Sequence, residues 1–302
     1  MEKNQMLCFQ VVAKTQNISE ASRQLFISQP AVSQTILRIE EELGYTLFDR
    51  VGKRIILNEN GKIMQKAITQ MNNIFDDACR EMQEYNGRMQ QTVSLDIGCA
   101  SMHLPDLLES LKKKNAYISY CIYQGQKNTR VDNMIYLLAV RQNKNHMDIP
   151  ENNLVYEPLF SEQIVLALPQ MHRLAQKQEL QMQDLFEEDW ISLNENWSLG
   201  RLVQDTLKAQ WTEITPTIVL DNPSLMRELL RKGMGIGFVP EISWKNFGKE
   251  NLVYKKIMDF NVCRCICIAY RKGKYLTEAE KECIDGIRNY FESMNQSLKV
   301  SI

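Results

Sequence analysis

At 302 residues, with 44% hydrophobic side chains, the chain is long enough for more than one domain with its own core. Its 36 Lys and Arg face 37 Asp and Glu, and the net charge of −1 excludes recruitment of any partner by bulk charge alone. The opening MEKNQMLCFQ lacks the apolar stretch of a signal peptide, and no run of about 18 apolar residues suits a membrane span, so a cytoplasmic protein with no membrane contact is expected.

Met6, Phe9, Val12 and Ala13 recur at helical spacing and predict a first helix with one apolar face. Ser19 is a candidate cap for a second, short helix carrying Ala21 and Leu25. Phe26-Ile27-Ser28 then makes a tight connection into a third helix. Ser28 suits its N-cap, and Pro30 falls in the first turn, where the missing amide has no intrahelical partner. Val32, Ile36, Ile39 and Leu43 form the apolar face, and Gly44 supplies a left-handed stop. Gln29, Ser33 and Gln34 fall off that stripe, leaving short polar groups opposite the buried face. The order is helix-turn-helix.

Residues 48–57, FDRVGKRIIL, read as a two-stranded wing with Gly52 at its turn. Arg50, Lys53 and Arg54 cluster on its rim, a sign of charge suited to phosphates. Residues 1–91 nonetheless hold eleven Lys and Arg against eleven Asp and Glu, so this region is not basic in sum. The Glu40–Glu42 run is read as the solvated end of the third helix. The cations at 38, 50, 53 and 54 form the phosphate face.

From Asn58 to about Gln90 one long helix is expected. Met64, Ile68, Met71, Phe75, Ala78, Met82, Tyr85 and Met89 follow spacings of 3 and 4. The same helix of a second copy is the economical partner for that row; a core helix of the following domain is the other reading.

Beyond Thr92 strands alternate with helices, which predicts a mostly parallel sheet. Strands are read at Val93–Cys99, Tyr117–Tyr123, Val131–Val140, Gln163–Leu168, Trp190–Leu193, Ile218–Leu220 and Gly235–Pro240. Helices are read at Leu104–Lys113, from near Ser198, and at 223–232. Gln124–Arg130 is too short and polar for a full helix, and a polar loop is expected from the end of the next strand to Asn153. Among eight cysteines, Cys263, Cys265 and Cys267 alternate along one strand face and read as small core fillers, because metal motifs use longer spacings and a second ligand pair. Cys99 and Cys121, on neighbouring strands, are the other pair worth testing. His103, His146 and His172 are scattered, and no nucleophile elbow, zinc-protease, Walker or dinucleotide motif occurs. No enzyme, cofactor or metal is expected.

F-x-x-V-A at 9–13, S-Q-P-A-V-S at 28–33, L-x-x-I-x-x-E-E-L-G-Y-x-L-F-x-R ending at Arg50 and L-N-x-N-G at 57–61 closely resemble the winged helix-turn-helix of LysR-type transcriptional regulators. Ser22 stands where many relatives carry a second alanine. Asn58 stands where Thr is usual, and it can still cap the next helix. E-P-L at 157–159, L-P-x-x-H-x-L at 168–174 and G-M-G-I-G-F-V-P at 233–240 resemble the family's effector domain. The resemblance implies an α/β chain: an N-terminal winged helix-turn-helix (1–58), a long linker and dimerisation helix (59–90), and a C-terminal two-lobed Rossmann-like, periplasmic-binding-protein-like effector domain (91–302). Lobe I would take about 91–161 and 268–302, and lobe II about 162–267. The family usually has a full helix where Gln124–Arg130 stands, which leaves the pocket's shape open.

The function implied by this resemblance is that of a regulator that binds double-stranded DNA with dyad symmetry and answers to a small-molecule effector of unknown identity. The linker helix would make a homodimer, two dimers a homotetramer, and RNA polymerase is a further partner the resemblance allows. Gln29, Pro30, Ser33 and Gln34 are the candidate base-facing residues, Ser28 stands with them in the DNA-binding set, and Arg38, Arg50, Lys53 and Arg54 are placed on phosphate. Strand ends and helix N-termini bind ligands in such clefts. The candidate effector residues are therefore Ala100, Ser101, Met102, Gln124, Asn194, Asn196, Ser198, Gly237 and Phe238. Trp197, Arg130 and Arg201 stand beside them as an aromatic wall and carboxylate partners, or as plain packing and surface charge. A regulator without a ligand, or one with a thiol-based redox switch, is the alternative; the peroxide-sensing branch's paired-cysteine region has no match between 122 and 262.

Overall fold

The computed structural model describes residues 1–52, 54–87, 91–124, 133–143, 146–150, 153–210, 214–244 and 251–300, with only the backbone of 297–300. Lys53, Met89, Arg130 and the stretch 125–132 lie outside the described residues, as does the expectation for a helix there. The chain divides into two compact units, Met1–Tyr85 and Asn86–Ile302.

The first unit runs α1 (Lys3–Thr15), α2 (Ile18–Leu25), α3 (Gln29–Leu43), β1 (Phe48–Val51), β2 (Arg54–Leu57) and α4 (Glu59–Tyr85). Phe9, Val12, Ala21, Val32, Ile36, Ile39, Phe48 and Ile68 close one apolar core, so the stripes read from spacing do face inward. The cap of α2 is not Ser19 but Asn17, whose side chain accepts the Ser19 and Glu20 amides at 2.9 and 3.1 Å. Ser19, two positions later, already sits inside the helix, where its own amide needs that acceptor.

The acidic run at the end of α3 is also not simply solvated. Glu40 turns back and accepts the Leu47 and Phe48 amides at 2.6 and 3.2 Å, fixing where the wing begins. Glu42 pairs with the N-terminal ammonium at 2.6 Å. Asn58 caps α4 by accepting the Gly61 amide at 2.9 Å. Gly61 must be glycine, since a Cβ there would lie 2.1 Å from the Leu47 carbonyl oxygen. Past Ile68 the apolar row of α4 is open, with Met71, Phe75, Met82 and Tyr85 exposed.

The second unit runs β3 (Thr92–Ile97), α5 (Leu104–Lys114), β4 (Ser119–Tyr123), β5 (Ile135–Asn143), β6 (His146–Met147), β7 (Leu154–Pro169), β8 (Ile191–Leu193), α6 (Ser198–Gln210), β9 (Ile218–Leu220), α7 (Pro223–Arg231), β10 (Gly237–Pro240), β11 (Leu252–Lys255), β12 (Cys263–Arg271) and α8 (Glu278–Val300). The main sheet has the order β10-β7-β12-β5-β3-β4. It is mixed rather than mostly parallel. β3 runs parallel to β4 and β5, but β12 is antiparallel to β5 and β7, and β10 and β11 are antiparallel to β7. The expected polar loop to Asn153 is in part a hairpin, because β5 continues to Asn143 and pairs with β6.

β7 serves two cores. Its first part, Leu154–Gln163, pairs with β12, and Ile164–Pro169 pairs with β10 and β11. Phe160 packs with Leu95, Leu137, Ile266 and Phe291 in one core. Ile164 packs with Leu202, Met226, Phe238 and Val262 in the other. The chain entering β12 changes core between Val262 and Ile266. At that junction Arg264 and Glu162, 2% and 3% exposed, form a salt bridge. Arg264 Nε and Nη2 donate to Glu162 Oε1 at 2.9 and 2.8 Å, and Glu162 Oε2 accepts the Ile242 and Ser243 amides at 3.0 and 2.6 Å. The Ser243 hydroxyl also donates to Glu162. Both carboxylate oxygens that burial strips of water are thereby given donors.

Candidate nucleic-acid interface and ligand cavity

On α3, burial of Val32, Ile36 and Ile39 turns the opposite face outward. Ser28 accepts the Ala31 amide at 3.4 Å as the N-cap. Gln29, Pro30, Gln34 and Arg38 are exposed, and Ser33 is half-buried. Arg50 and Arg54 are exposed on the antiparallel hairpin, in the register Arg50 to Ile55 and Val51 to Arg54. Leu37, 53% exposed, escaped the sequence reading. It lies three residues from Gln34 on the same helical face and adds an apolar contact to the polar set. The surface thus combines amide and hydroxyl groups that suit base edges, a methyl-bearing side chain, and guanidinium groups that suit phosphate.

In the second unit a cavity of about 660 Å³ opens between β5 and the start of α6. Tyr136, Leu138, Val140 and Tyr156 wall one side, and Asn196, Trp197, Ser198 and Arg201 the other. Arg141 of β5 crosses to α6, donating to Thr206 Oγ1 at 2.6 Å and to the Leu202 carbonyl at 3.3 Å. A narrow recess adjoins it, lined by Ala100, Ser101, Ser198, Pro223, Trp244 and Arg264. Three helical N-termini point here: the 3-10 turn Ser101–His103 that leads into α5, α6 at Ser198, and α7 at Pro223. Ser198 Oγ is buried and finds no hydrogen-bond partner among the described residues. Ala100, at φ 51, carries the chain from β3 into this turn.

Of the residues expected from sequence, Ala100, Ser101, Asn196 and Ser198 meet at the cavity and its recess. Met102 is half-buried against the core that Ile164 shares. Gln124 is exposed at the end of β4 and does not line the cavity. Asn194 faces elsewhere. It accepts the Asn196 amide at 3.0 Å and lines a separate cavity of about 350 Å³ with Gln204, Lys208 and Pro216. Gly237 and Phe238 are core. A Cβ at Gly237 would lie 2.7 Å from the Ile191 carbonyl oxygen, and Phe238 is 2% exposed, stacked on Trp190 and Phe260. Their place beside the crossing strands suggested a cleft, but pairing with β7 turns them inward.

Sequence reasoning missed Tyr136, Leu138, Val140, Tyr156 and Arg264. The alternation of β5 carried a signal for the first three, since a strand with apolar residues on both faces has a second surface to cover.

Cys265 and Cys267 are buried and Cys263 half-buried. Cys121, exposed, stands opposite Ser94 on β3, whereas buried Cys99 lies two residues past the end of that strand. The offset in register is roughly 16 Å of extended chain, too far for a disulfide. Among the described residues no three His, Cys, Asp or Glu side chains gather as a metal site.

A winged helix-turn-helix followed by a two-lobed fold with a cavity between its lobes is the architecture of a ligand-responsive transcriptional regulator. The chain belongs to the LysR family: the model of the bacterial regulatory helix-turn-helix protein, lysR family, matches residues 4–62, and that of the LysR substrate binding domain matches 88–292. It is a LysR-type transcriptional regulator with an effector-binding domain. It is similar to the uncharacterized HTH-type transcriptional regulator YybE of Bacillus subtilis (strain 168), 27% identical over 288 residues covering 92% of this chain and 94% of that one. Among solved structures, full-length CbnR complexed with its target DNA superposes with a TM-score of 0.54 at 17% identity, over 96% of this chain and 99% of that chain. The effector binding domain of QuiR in complex with shikimate gives 0.51 at 20% identity, over 68% of this chain and 99% of that one. At these identities the structural likenesses speak for the fold. No helix among the described residues is long and apolar enough to cross a membrane.

Proposed function

We propose that this regulator reads a dyad-symmetric operator as a cytoplasmic homodimer or homotetramer and changes its grip when an anionic small molecule enters the recess between the lobes. Gln29, Pro30, Ser33 and Gln34 meet base edges, Ser28 holds the start of their helix, and Arg38, Arg50, Lys53 and Arg54 hold phosphate. The open row Met71, Phe75, Met82 and Tyr85 supports pairing of α4 with a second copy. The working division is a DNA-binding part to 58, a linker to 90, and lobes that exchange near 161 and 267. Contact with RNA polymerase and pairing of two dimers extend this reading. The regulator itself performs no catalysis.

The observation that carries the ligand reading is the recess. The N-terminus of α6 presents its positive dipole end at the recess and Ser198 Oγ lacks a partner among the described residues, while Arg264, which also lines it, already pairs its charge with Glu162. The shikimate held by QuiR carries a carboxylate, the group such a recess suits. A ligand acts only through differential affinity for two lobe arrangements.

The test is genome-wide mapping of bound sites, then footprinting of purified protein on the best site with and without a panel of small carboxylates. Discrete dyad sites whose footprint shifts with one carboxylate, and no shift in Ser198→Ala, are expected. Sequence-blind occupancy that dissolves with salt overturns the operator reading. A footprint that no member of the panel moves, although each saturates the protein, overturns the ligand reading.

A further inference from the structure

The outward face of α3 is fixed by its inward one. Val32, Ile36 and Ile39 are all buried, which sets the rotation of the helix about its axis. At about 100° per residue, Pro30, Gln34, Leu37 and Glu41 then follow one another along the outermost line, at spacings of 4, 3 and 4. All four are exposed. Leu37, 53% exposed, is the long apolar side chain on that line.

A leucine open to solvent is commonplace on a protein surface, and exposure alone assigns it nothing. Its position does more. Ser33 and Gln34, whose hydroxyl and amide suit base edges, stand one turn before it on the same side. Arg38 follows directly and turns about 100° away, to the flank of the line where phosphate would lie. Glu41, one turn further on, carries the sign of the phosphates themselves and is repelled by them. Close approach to DNA therefore ends at Leu37 and Arg38.

Leu37 has no donor or acceptor to give. Set against the polar atoms of a base edge, it strips their water and returns nothing, which is a net cost. In the major groove of unmodified DNA one group is apolar, the C5 methyl of thymine. We propose that Leu37 is a specificity-determining residue that packs on this methyl and makes thymine the preferred base at one position of each half-site. The contact rests on the operator reading above, in which α3 is the helix that enters the groove. The rise from Gln34 to Leu37 is about 4.5 Å. Successive bases along a strand lie about 3.4 Å apart, so the thymine stands one or two steps from the base that Gln34 meets.

The experiment is a protein-by-DNA double-mutant cycle with full-length protein on the mapped operator. Thymines of one half-site are replaced one at a time by uracil, which keeps every hydrogen-bonding atom and removes only the methyl. For wild type, one such uracil is expected to weaken binding about fourfold, the worth of one buried methyl group. It should lie one or two steps from the base that Gln34→Ala ceases to discriminate. For Leu37→Ala the same uracil is expected to change nothing, while the melting curve stays in place because the side chain is exposed. With cytosine and then 5-methylcytosine at that position, opposite guanine, wild type is expected to prefer the methylated base by a similar factor. Equal binding of those two, no uracil effect anywhere in the half-site, or a uracil penalty undiminished in Leu37→Ala each overturns the contact while discrete operator binding stands. Wild type that binds operator and scrambled duplex alike overturns the operator reading itself, and the contact falls with it.

Discussion

The winged helix-turn-helix and the second unit handle charge in opposite ways. Among the described residues of 1–58 no charged side chain is buried, and the core is held by apolar stripes whose members lie on neighbouring helices. At the centre of the second unit, by contrast, Glu162 and Arg264 are sealed from solvent and bridge 102 positions of sequence. A stripe can lose one member and keep its direction. A closed ion pair cannot, because its desolvation cost is already incurred and only the partner offsets it. The DNA-reading unit is therefore built from redundant local contacts, and the lobe junction from one indispensable nonlocal contact.

Removing one half of that pair is the most damaging test of the contrast. Glu162→Ala leaves Arg264 buried without its carboxylate and exposes the Ser243 amide and hydroxyl as unpaired donors, and a loss of about 3–5 kcal/mol in denaturant unfolding of the second unit is expected. Adding Arg264→Met should recover a good part of it, since an apolar side chain of similar volume asks for no partner. A single variant that costs less than the double one would show that the pair is open to water.

In the first unit the matching test is Gly61→Ala. The new methyl would meet the Leu47 carbonyl oxygen at 2.1 Å, and the amides of Leu47 and Phe48 are anchored by Glu40, so the strand has little room to yield. Overpacking of this kind costs about 1–3 kcal/mol. The thermal transition of the first unit should fall while that of the second is unmoved. Equal shifts in both would break the distinction between the units.

Gln29→Ala sharpens the comparison from the functional side, because it alters the exposed face alone. Discrimination between the best site and a single-base variant is expected to drop by about 1–3 kcal/mol in competition binding. Melting should be unchanged. Selectivity that survives the substitution would remove Gln29 from the set of base contacts.

The same contrast explains what could be read from the chain itself. Ser28, Pro30, the stripe Val32, Ile36, Ile39 and the stop at Gly44 (φ 74) are all set within one helix, where spacing dictates facing. Glu40 lies in that helix too, yet its role depends on where the wing turns back, which no helical period encodes. Arg264, between Cys263 and Cys265, drew no reading of its own, since its partner lies on a strand 102 positions away. Gly237 and Phe238 read as cleft residues from their place near the crossover. Antiparallel pairing with Ala167 and Leu166 puts them in the core instead. The cavity wall of Tyr136, Leu138 and Val140 was hidden for a similar reason: a strand with apolar residues on both faces does not say which face is covered.

The smallest expected effect decides between two readings of one helix start. Asn17 and Ser19 are both good capping residues, and only the chain's entry angle into α2 separates them. Asn17 adopts extended backbone at φ −150, which lets its side chain reach the Ser19 and Glu20 amides. Asn17→Ala strands both donors and should cost about 1 kcal/mol. Ser19→Ala removes no cap and should stay within about 0.5 kcal/mol of wild type. The ranking rests on geometry alone, and paired denaturation curves of the two variants read it directly. If Ser19→Ala is the costlier of the two, α2 begins two residues later, and the turn that aims α3 is built differently from the one described.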